Sequence, residues 1–387
     1  MSATTVLDVL VIGSGITGLS TLVHLKARGI SRVALAADAA RAPSSRRLPG
    51  VLMGGQLDNF TRISHRHGQP IAAALWRFGD AAFDALIAHA RAAGIEVATG
   101  RRLRLVTSEA ELREAEQAVR ELQGSGFTNV TLENQTASKA GATPFGDRVI
   151  AVQDDGARAG LLDSAALATR LEQATAEVPR VGRVRALSRP GGALTVTLED
   201  GSTLRAEIVV LAAHLGIKTL VPELDDALVP YADQWGIWER APTPAISSGT
   251  VVTATHANEW GAVDGQRVIY GGARYLRPLG GMEAKSAAAE ERITTHLATL
   301  AKSTFRGVAG GAPSSVGAGL DIRPCDELPV IGPMYGESRL LIGAGYMGLG
   351  LTMGFHAGAC LAELVVKGSA PALPRILWPE RLRSLEA

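Results

Sequence analysis

The sequence predicts an α/β fold, on three observations. Residues 6–12 make a hydrophobic run of buried-strand length, and the apolar positions of residues 16–28 that follow have helical spacing. A second strand-like run comes at residues 33–36, so a strand, a helix and a strand succeed one another at the start of the chain. Far downstream, residues 340–362 carry no Asp, Glu, Lys or Arg, and the glycine cluster GAGYMGLG divides them into a short apolar strand and a helical segment.

The junction of the first strand and helix reads VIGSGITGLS, with Gly13, Gly15 and Gly18 spaced G-x-G-x-x-G. Gly13 permits a tight turn, Gly15 lets a pyrophosphate approach the backbone, and Gly18 lets the helix pack against the strand. The free N–H groups at the helix start then face the phosphates. In this context the spacing points to an adenine dinucleotide, without choosing NAD over FAD. Asp38 is the candidate acid for a ribose hydroxyl, with Ala37 as the competing register.

A chain of 387 residues accommodates two compact domains, and 46% hydrophobic with 20% charged residues is an ordinary soluble composition. The formal net charge of +1 offers no overall attraction for nucleic acid or an anionic membrane. Cys325 and Cys360 do not make a disulfide framework, and residues 1–20 lack a signal-peptide layout, so a reducing cytoplasm is the expected setting. Residues 340–362 are long enough to span a bilayer. Glycines at 343, 345, 348, 350, 354 and 358 interrupt them, however, and they read as buried interior with no transmembrane segment.

Residues 71–93 read as a helix ended by Gly94, and residues 108–123 as a highly charged surface helix. Residues 163–177 make another helix, with Asp163 or Ser164 as N-cap. A strand, a turn at Asp200 and Gly201, and a further strand lead into the apolar run 208–213. Residues 229–275 hold six of the ten Trp and Tyr residues: Tyr231, Trp235, Trp238, Trp260, Tyr270 and Tyr275. They suit packing of a β-rich domain and an aromatic ligand pocket equally. His65 and His67 have H-x-H spacing, but without Cys or a third ligand nearby no metal is expected.

GLDIRPCDELPVIGP at 319–333, the glycine-rich segment after it and the N-terminal motif together resemble the D-amino-acid oxidase superfamily of FAD-dependent enzymes, which includes glycine and sarcosine oxidases and amino-acid dehydrogenases. The resemblance selects FAD. It implies that Gly13, Ser14, Gly15, Ile16, Thr17 and Gly18 hold the pyrophosphate. Residues 345–352, with Gly345, Tyr346, Gly348, Leu349, Gly350, Leu351 and Thr352, are implied to lie against the pyrimidine side of the flavin. A helix N-terminus there stabilises the negative charge of a reduced ring. Tyr346 stands where relatives often carry histidine. Ser44 and Ser45 match a serine-rich turn that contacts FAD, and Val184 a residue whose backbone meets the adenine. IVVLAAHLG matches a strand that usually ends in Ala-Ala-Gly, with His214 replacing the glycine. Gly319 stands where sarcosine oxidases carry the cysteine that bonds their flavin, so FAD is expected to be non-covalent and Cys325 to be a packed thiol.

The resemblance implies a Rossmann-like FAD-binding domain of glutathione-reductase type, formed by residues 1–75, 148–225 and 318–387. A sheet-rich substrate domain is expected from residues 76–147 and 226–317. The implied reaction is oxidation of an amine or amino acid: hydride transfer from the carbon beside nitrogen to flavin N5, giving an imine that water hydrolyses. Arg323, in D-I-R-P where relatives have G-x-R-P, is the candidate for the substrate carboxylate, against an internal salt bridge to Asp321 or Asp326. Arg62, His65 and Tyr270 are further active-site candidates. Oxidation of a 2-hydroxy acid, an NAD-dependent dehydrogenase and a non-catalytic flavin-binding protein are the alternatives. The electron acceptor is O2 or a quinone or other carrier, and the absence of lysine between Arg267 and Tyr275 leans towards a dehydrogenase.

Overall fold

The computed structural model describes residues 6–38, 44–135, 143–189, 192–241 and 246–385. It divides into two compact units. Unit 1 comprises residues 1–48, 164–230 and 321–387, and unit 2 residues 49–163 and 231–320. Residues 49–75 and 148–163, expected with the FAD-binding segments, group with unit 2 instead. The reason is pairing: Val51–Met53 is an antiparallel edge strand on Ala151–Leu162.

Unit 1 is built on a twisted sheet of five parallel strands in the order Glu337–Ala344, Thr203–Leu211, Leu7–Ile12, Val33–Ala36 and Arg180–Val181. Val330–Met334 adds an antiparallel edge beside Glu337–Ala344. Parallel strands are covered on both faces and read as continuous apolar runs. Val9, Leu10, Val11, Val209, Val210, Leu211, Leu340 and Ile342 accordingly expose almost nothing. The turn at Asp200–Gly201 joins Leu194–Leu198 to Thr203–Leu211, with Asp200 accepting the Ser202 N–H at 2.9 Å and Gly201 at φ +86°.

The uncharged run becomes the strand Glu337–Ala344, a loop and the helix Gly350–Lys367. Leu351, Met353, Phe355, Leu361 and Leu364 of this late helix are buried. Gly368 ends it in the left-handed region at φ +70° and returns its N–H to Leu364 O at 2.8 Å. Among the described residues no helix is long and apolar enough to cross a membrane.

Unit 2 contains a nine-stranded, mainly antiparallel sheet. The helices Gln69–Ala92 and Glu109–Gly124 match the two expected ones; Ser108 caps the second by accepting the Glu111 N–H. Alternation along the strands separates the aromatic cluster. Trp238 and Tyr270 are buried in a core with Ile293, Leu297 and Phe305, whereas Trp235 and Trp260 lie half-buried against Gly271 between them.

Two arginines organise one edge of this unit. Arg102 is fully buried, donating to the carbonyls of Gly54 (2.7 Å), Gln56 and Leu57, and Arg104 donates to those of Gln56, Leu57 and Asp58 and to Asp155 at 3.1 Å. Burial, then repulsion from Arg104, pushes the Arg102 pKa down to about 9. Asp80, from the helix Gln69–Ala92, accepts the Gly55 N–H at 2.9 Å. Burial, reinforced by Asp155, raises its pKa from 3.8 to about 6.

Because the folded state holds this proton more tightly, the contribution of Asp80 to stability is fully present below pH 4 and is lost as pH rises through 6. Asp80→Asn keeps the oxygen that accepts from Gly55 and removes the charge. The variant is expected to be more stable than the parent by about 3 kcal/mol at pH 8, with the gain shrinking towards zero near pH 4. Urea unfolding at the two pH values checks this, and equal gains at both would contradict it.

Candidate functional site

In open α/β sheets, ligands bind beyond the carboxyl ends of the parallel strands. In unit 1, three neighbouring strand ends lead into glycine-bearing loops. Leu7–Ile12 runs into Gly13 to Gly15, Thr203–Leu211 into Ala212 to Gly216, and Glu337–Ala344 into Gly345 to Gly350.

The three motif glycines have different physical requirements. Gly13 sits at φ +113°, a region L side chains rarely adopt, and an added Cβ would stand 2.3 Å from Ala212 O. A Cβ on Gly18 would stand 1.8 Å from Gly13 O. Gly15, at φ −73°, has nothing within 4 Å of a Cβ. Gly13 and Gly18 are therefore demanded by the fold itself, whereas Gly15 leaves open space.

Gly15 is the N-cap of the helix Ile16–Ala27, which has no side-chain cap and no acidic residue in its first turn. The late helix begins the same way after Leu349, and the Cβ position of Gly350 is also open. Two helix starts thus keep their N–H groups and partial positive charge free of side chains.

Small-residue contacts hold these helices together. A Cβ on Gly354 would lie 2.8 Å from Ile16 Cγ2, and one on Gly358 2.7 Å from Thr17 O. Ser20 Oγ donates to Phe355 O at 2.6 Å. Tyr346, at the histidine position of relatives, lies 2.8 Å by its hydroxyl from Thr17 Oγ1, and burial raises its pKa well above the usual range. Thr352 donates to Leu349 O at 3.2 Å. Gly345, at φ +69°, packs against Pro324, and a Cβ there would stand 2.4 Å from the ring.

Around this frame, Ser45 lies in the 3-10 turn Ser44–Arg47 and is 6% exposed, with its hydroxyl lacking a hydrogen-bond partner. Asp38 follows the end of Val33–Ala36, where the Ala37 N–H donates to Val181 O at 3.2 Å. Val184 is half-buried on the same core.

Of the catalytic candidates, Arg323 belongs to unit 1 and Arg62, His65 and Tyr270 to unit 2. Arg323 ion-pairs with Glu327, four residues on. Asp321 faces His214, and Asp326 faces Arg381. Arg62 makes a two-pronged bond to Glu114, at 2.7 and 3.1 Å, which neutralises it within unit 2. His65 is exposed on the helix Phe60–His67.

Tyr270, a candidate site residue, lies in the core of unit 2. It is fully buried, with its hydroxyl donating to Glu259 at 2.8 Å and 3.1 Å from Thr304 Oγ1. Burial and Glu259 raise its pKa. Burial works to raise Glu259 too, but Arg148 at 2.8 Å and Tyr270 pull it below the usual carboxylate range. Cys325, expected to be packed, is exposed because it follows the strand end; Cys360 is the buried thiol, pushed up to about 12 by burial. Among the described residues no cluster of three or more His, Cys, Asp or Glu is placed to hold a metal ion.

Sequence reasoning had noted His214 and Asp321 separately as departures from a pattern. The structure brings them together, with Nε2 3.3 Å from Oδ1.

The overall fold is similar to solved enzyme structures of low sequence identity. Glycine oxidase from Geobacillus kaustophilus superposes with a TM-score of 0.75 at 17% identity, covering 96% of this chain and 97% of that one. L-proline dehydrogenase from P. horikoshii gives 0.73 at 17%, covering 98% and 99%. Iminodiacetate oxidase from Chelativorans sp. BNC1 gives 0.70 at 20%, covering 96% and 98%. A search of curated proteins returned no match. The DAO family model, described as FAD dependent oxidoreductase, matches residues 8–364, so the chain belongs to that family and is an FAD-dependent oxidoreductase.

Proposed function

We propose that the strand ends of unit 1 hold FAD without a covalent bond, and that the protein oxidises a small amine or amino acid at the carbon beside its nitrogen. The observation that carries the reading is the pair of adjacent, uncapped helix starts at Gly15 and Gly350, whose Cβ positions are open. Ser45, a buried hydroxyl in want of a partner, fits a ligand in the same way.

In this reading, residues 13–18 take the pyrophosphate and residues 345–352 the flavin ring, with Asp38 at the ribose, Ser44 and Ser45 at the nucleotide and Val184 at the adenine. When bound, FAD supplies the two-electron acceptor for a hydride. The chain's own residues bind and orient the amine and exclude water. The similarity to glycine oxidase, L-proline dehydrogenase and iminodiacetate oxidase supports a small amino-acid-like substrate.

Arg323 suits the substrate carboxylate because a guanidinium makes two parallel hydrogen bonds. Glu327 occupies it in the free protein, so the substrate must displace one carboxylate with another. The lack of lysine along Arg267–Gly272 favours a carrier over O2 as electron acceptor.

Gly15→Val is expected to yield folded, soluble protein without flavin, because its side chain enters only the open space. Gly18→Ala is expected to fail at folding, since the added carbon overlaps Gly13 O. Circular dichroism and the flavin absorbance of purified protein separate the two, and a folded, fully yellow Gly15→Val variant would overturn the phosphate assignment. Acid precipitation of the parent should leave the yellow colour in the supernatant; colour in the pellet would show a covalent bond.

For the substrate, anaerobic flavin bleaching by amines, amino acids and 2-hydroxy acids identifies the class, and bleaching by hydroxy acids alone would reject amine oxidation. Arg323→Leu should leave flavin content unchanged and weaken kcat/KM for an amino acid by about 2 to 5 kcal/mol. Arg323→Lys should recover part of that loss. Glu327→Gln should move KM the other way, lowering it by removing the competing carboxylate. Unchanged kinetics in the leucine variant would point to an amine without a carboxylate.

A further inference from the structure

Residues 11–20 contain no Lys or Arg, so the glycine turn offers a doubly charged pyrophosphate backbone N–H groups and hydroxyl side chains but no basic one. The nearest built feature of another kind lies at the next strand end. Thr203–Leu211 runs between Leu7–Ile12 and Glu337–Ala344, which places the loop after it between the two glycine loops. The start of that loop packs on the phosphate turn: a Cβ on Gly13 would lie 2.3 Å from Ala212 O and 3.1 Å from Ala213 Cα.

His214 comes next, at φ +51°. That is the left-handed region, which a histidine occupies at a cost of about 1 kcal/mol and which glycine adopts freely. The cost is not offset by core packing, because the side chains of His214 and Asp321 are 36% and 35% exposed. The imidazole is instead held in place by a carboxylate 107 residues away, with Nε2 3.3 Å from Asp321 Oδ1; Oδ1 also accepts the Ile322 N–H at 2.8 Å, which fixes the carboxylate. A left-handed residue at a strand end, with its ring also held by a carboxylate, is the observation that singles out His214.

We propose that His214 is a dinucleotide-binding residue whose ring donates to a pyrophosphate oxygen through Nδ1, and that Asp321 is the positioning residue that holds Nε2. This rests on the reading of the strand ends as the FAD site. The Nε2–Asp321 contact uses one edge of the ring and leaves the Nδ1 edge for the phosphate; donation from both nitrogens makes the bound ring the imidazolium. The pair thus supplies the basic side chain that the glycine turn lacks.

The test is titration of the full-length, flavin-stripped protein with FAD and, separately, with ADP, which carries the phosphates but no flavin. His214→Gly should raise the melting temperature of the flavin-free chain by relieving the left-handed residue, yet weaken both ligands about tenfold, the range for a charge-assisted hydrogen bond. Asp321→Asn should weaken both similarly, Asp321→Glu should restore most of the affinity, and the double variant should be no worse than His214→Gly alone. Unchanged FAD and ADP affinity in a folded His214→Gly variant would overturn the proposal. Additive losses in the double variant would overturn the pairing. If Gly15→Val keeps its flavin, the FAD-site reading itself fails, whatever the histidine variants do.

Discussion

Much of unit 1 depends on the close approach of its first and late helices. Gly354 and Gly358 admit the Thr17 and Ser20 side of the N-terminal helix to distances no larger residue would allow, and Thr17 meets the Tyr346 hydroxyl. Gly18 performs the same service between the helix and the glycine turn. Larger residues at these points would separate the two helix starts, and the paired positive ends would no longer converge. Within the uncharged segment that has the length of a membrane span, Gly354 and Gly358 face the first helix, and Leu351, Met353, Phe355 and Leu361 fill the interior.

Unit 2 solves a different problem with polar groups. The carbonyls of Gly54, Gln56, Leu57 and Asp58 turn towards the interior strand Val97–Val106, where buried carbonyls need donors. Arg102 and Arg104 supply them, and Asp155 keeps both guanidiniums paired. Removing any member would leave buried polar groups unmatched, which is why this cluster fixes the path of the chain into the helix that bears Arg62 and His65.

What the sequence makes legible is what depends on neighbours along the chain. The strand, glycine turn and helix at the N-terminus, the division of residues 340–362, the Ser108 cap and the Asp200–Gly201 turn all follow from local spacing. Partners distant in sequence are not legible: Arg62 finds Glu114 across 52 residues, and His214 finds Asp321 across 107. The aromatic cluster needed strand register, since a three-residue step from Trp235 to Trp238 changes the face of a strand. The exception is Arg323, whose partner Glu327 stands in the same short run and was open to inspection at four-residue spacing.

The discontinuity of unit 1 has a consequence for its birth on the ribosome. The first strand pairs with Thr203–Leu211, and the first helix packs against one that begins at Gly350. At about 5 to 20 residues per second, the opening glycine turn waits tens of seconds for the helix that completes its surroundings. Until Thr203–Leu211 has been made, the edge of its strand that does not meet Val33–Ala36 lacks its partner, exposed to whatever a nascent chain meets. The residues of unit 2 between 49 and 163 are all synthesised before any of this pairing is possible. The first strand and helix therefore reach their final environment only once the late helix has been made.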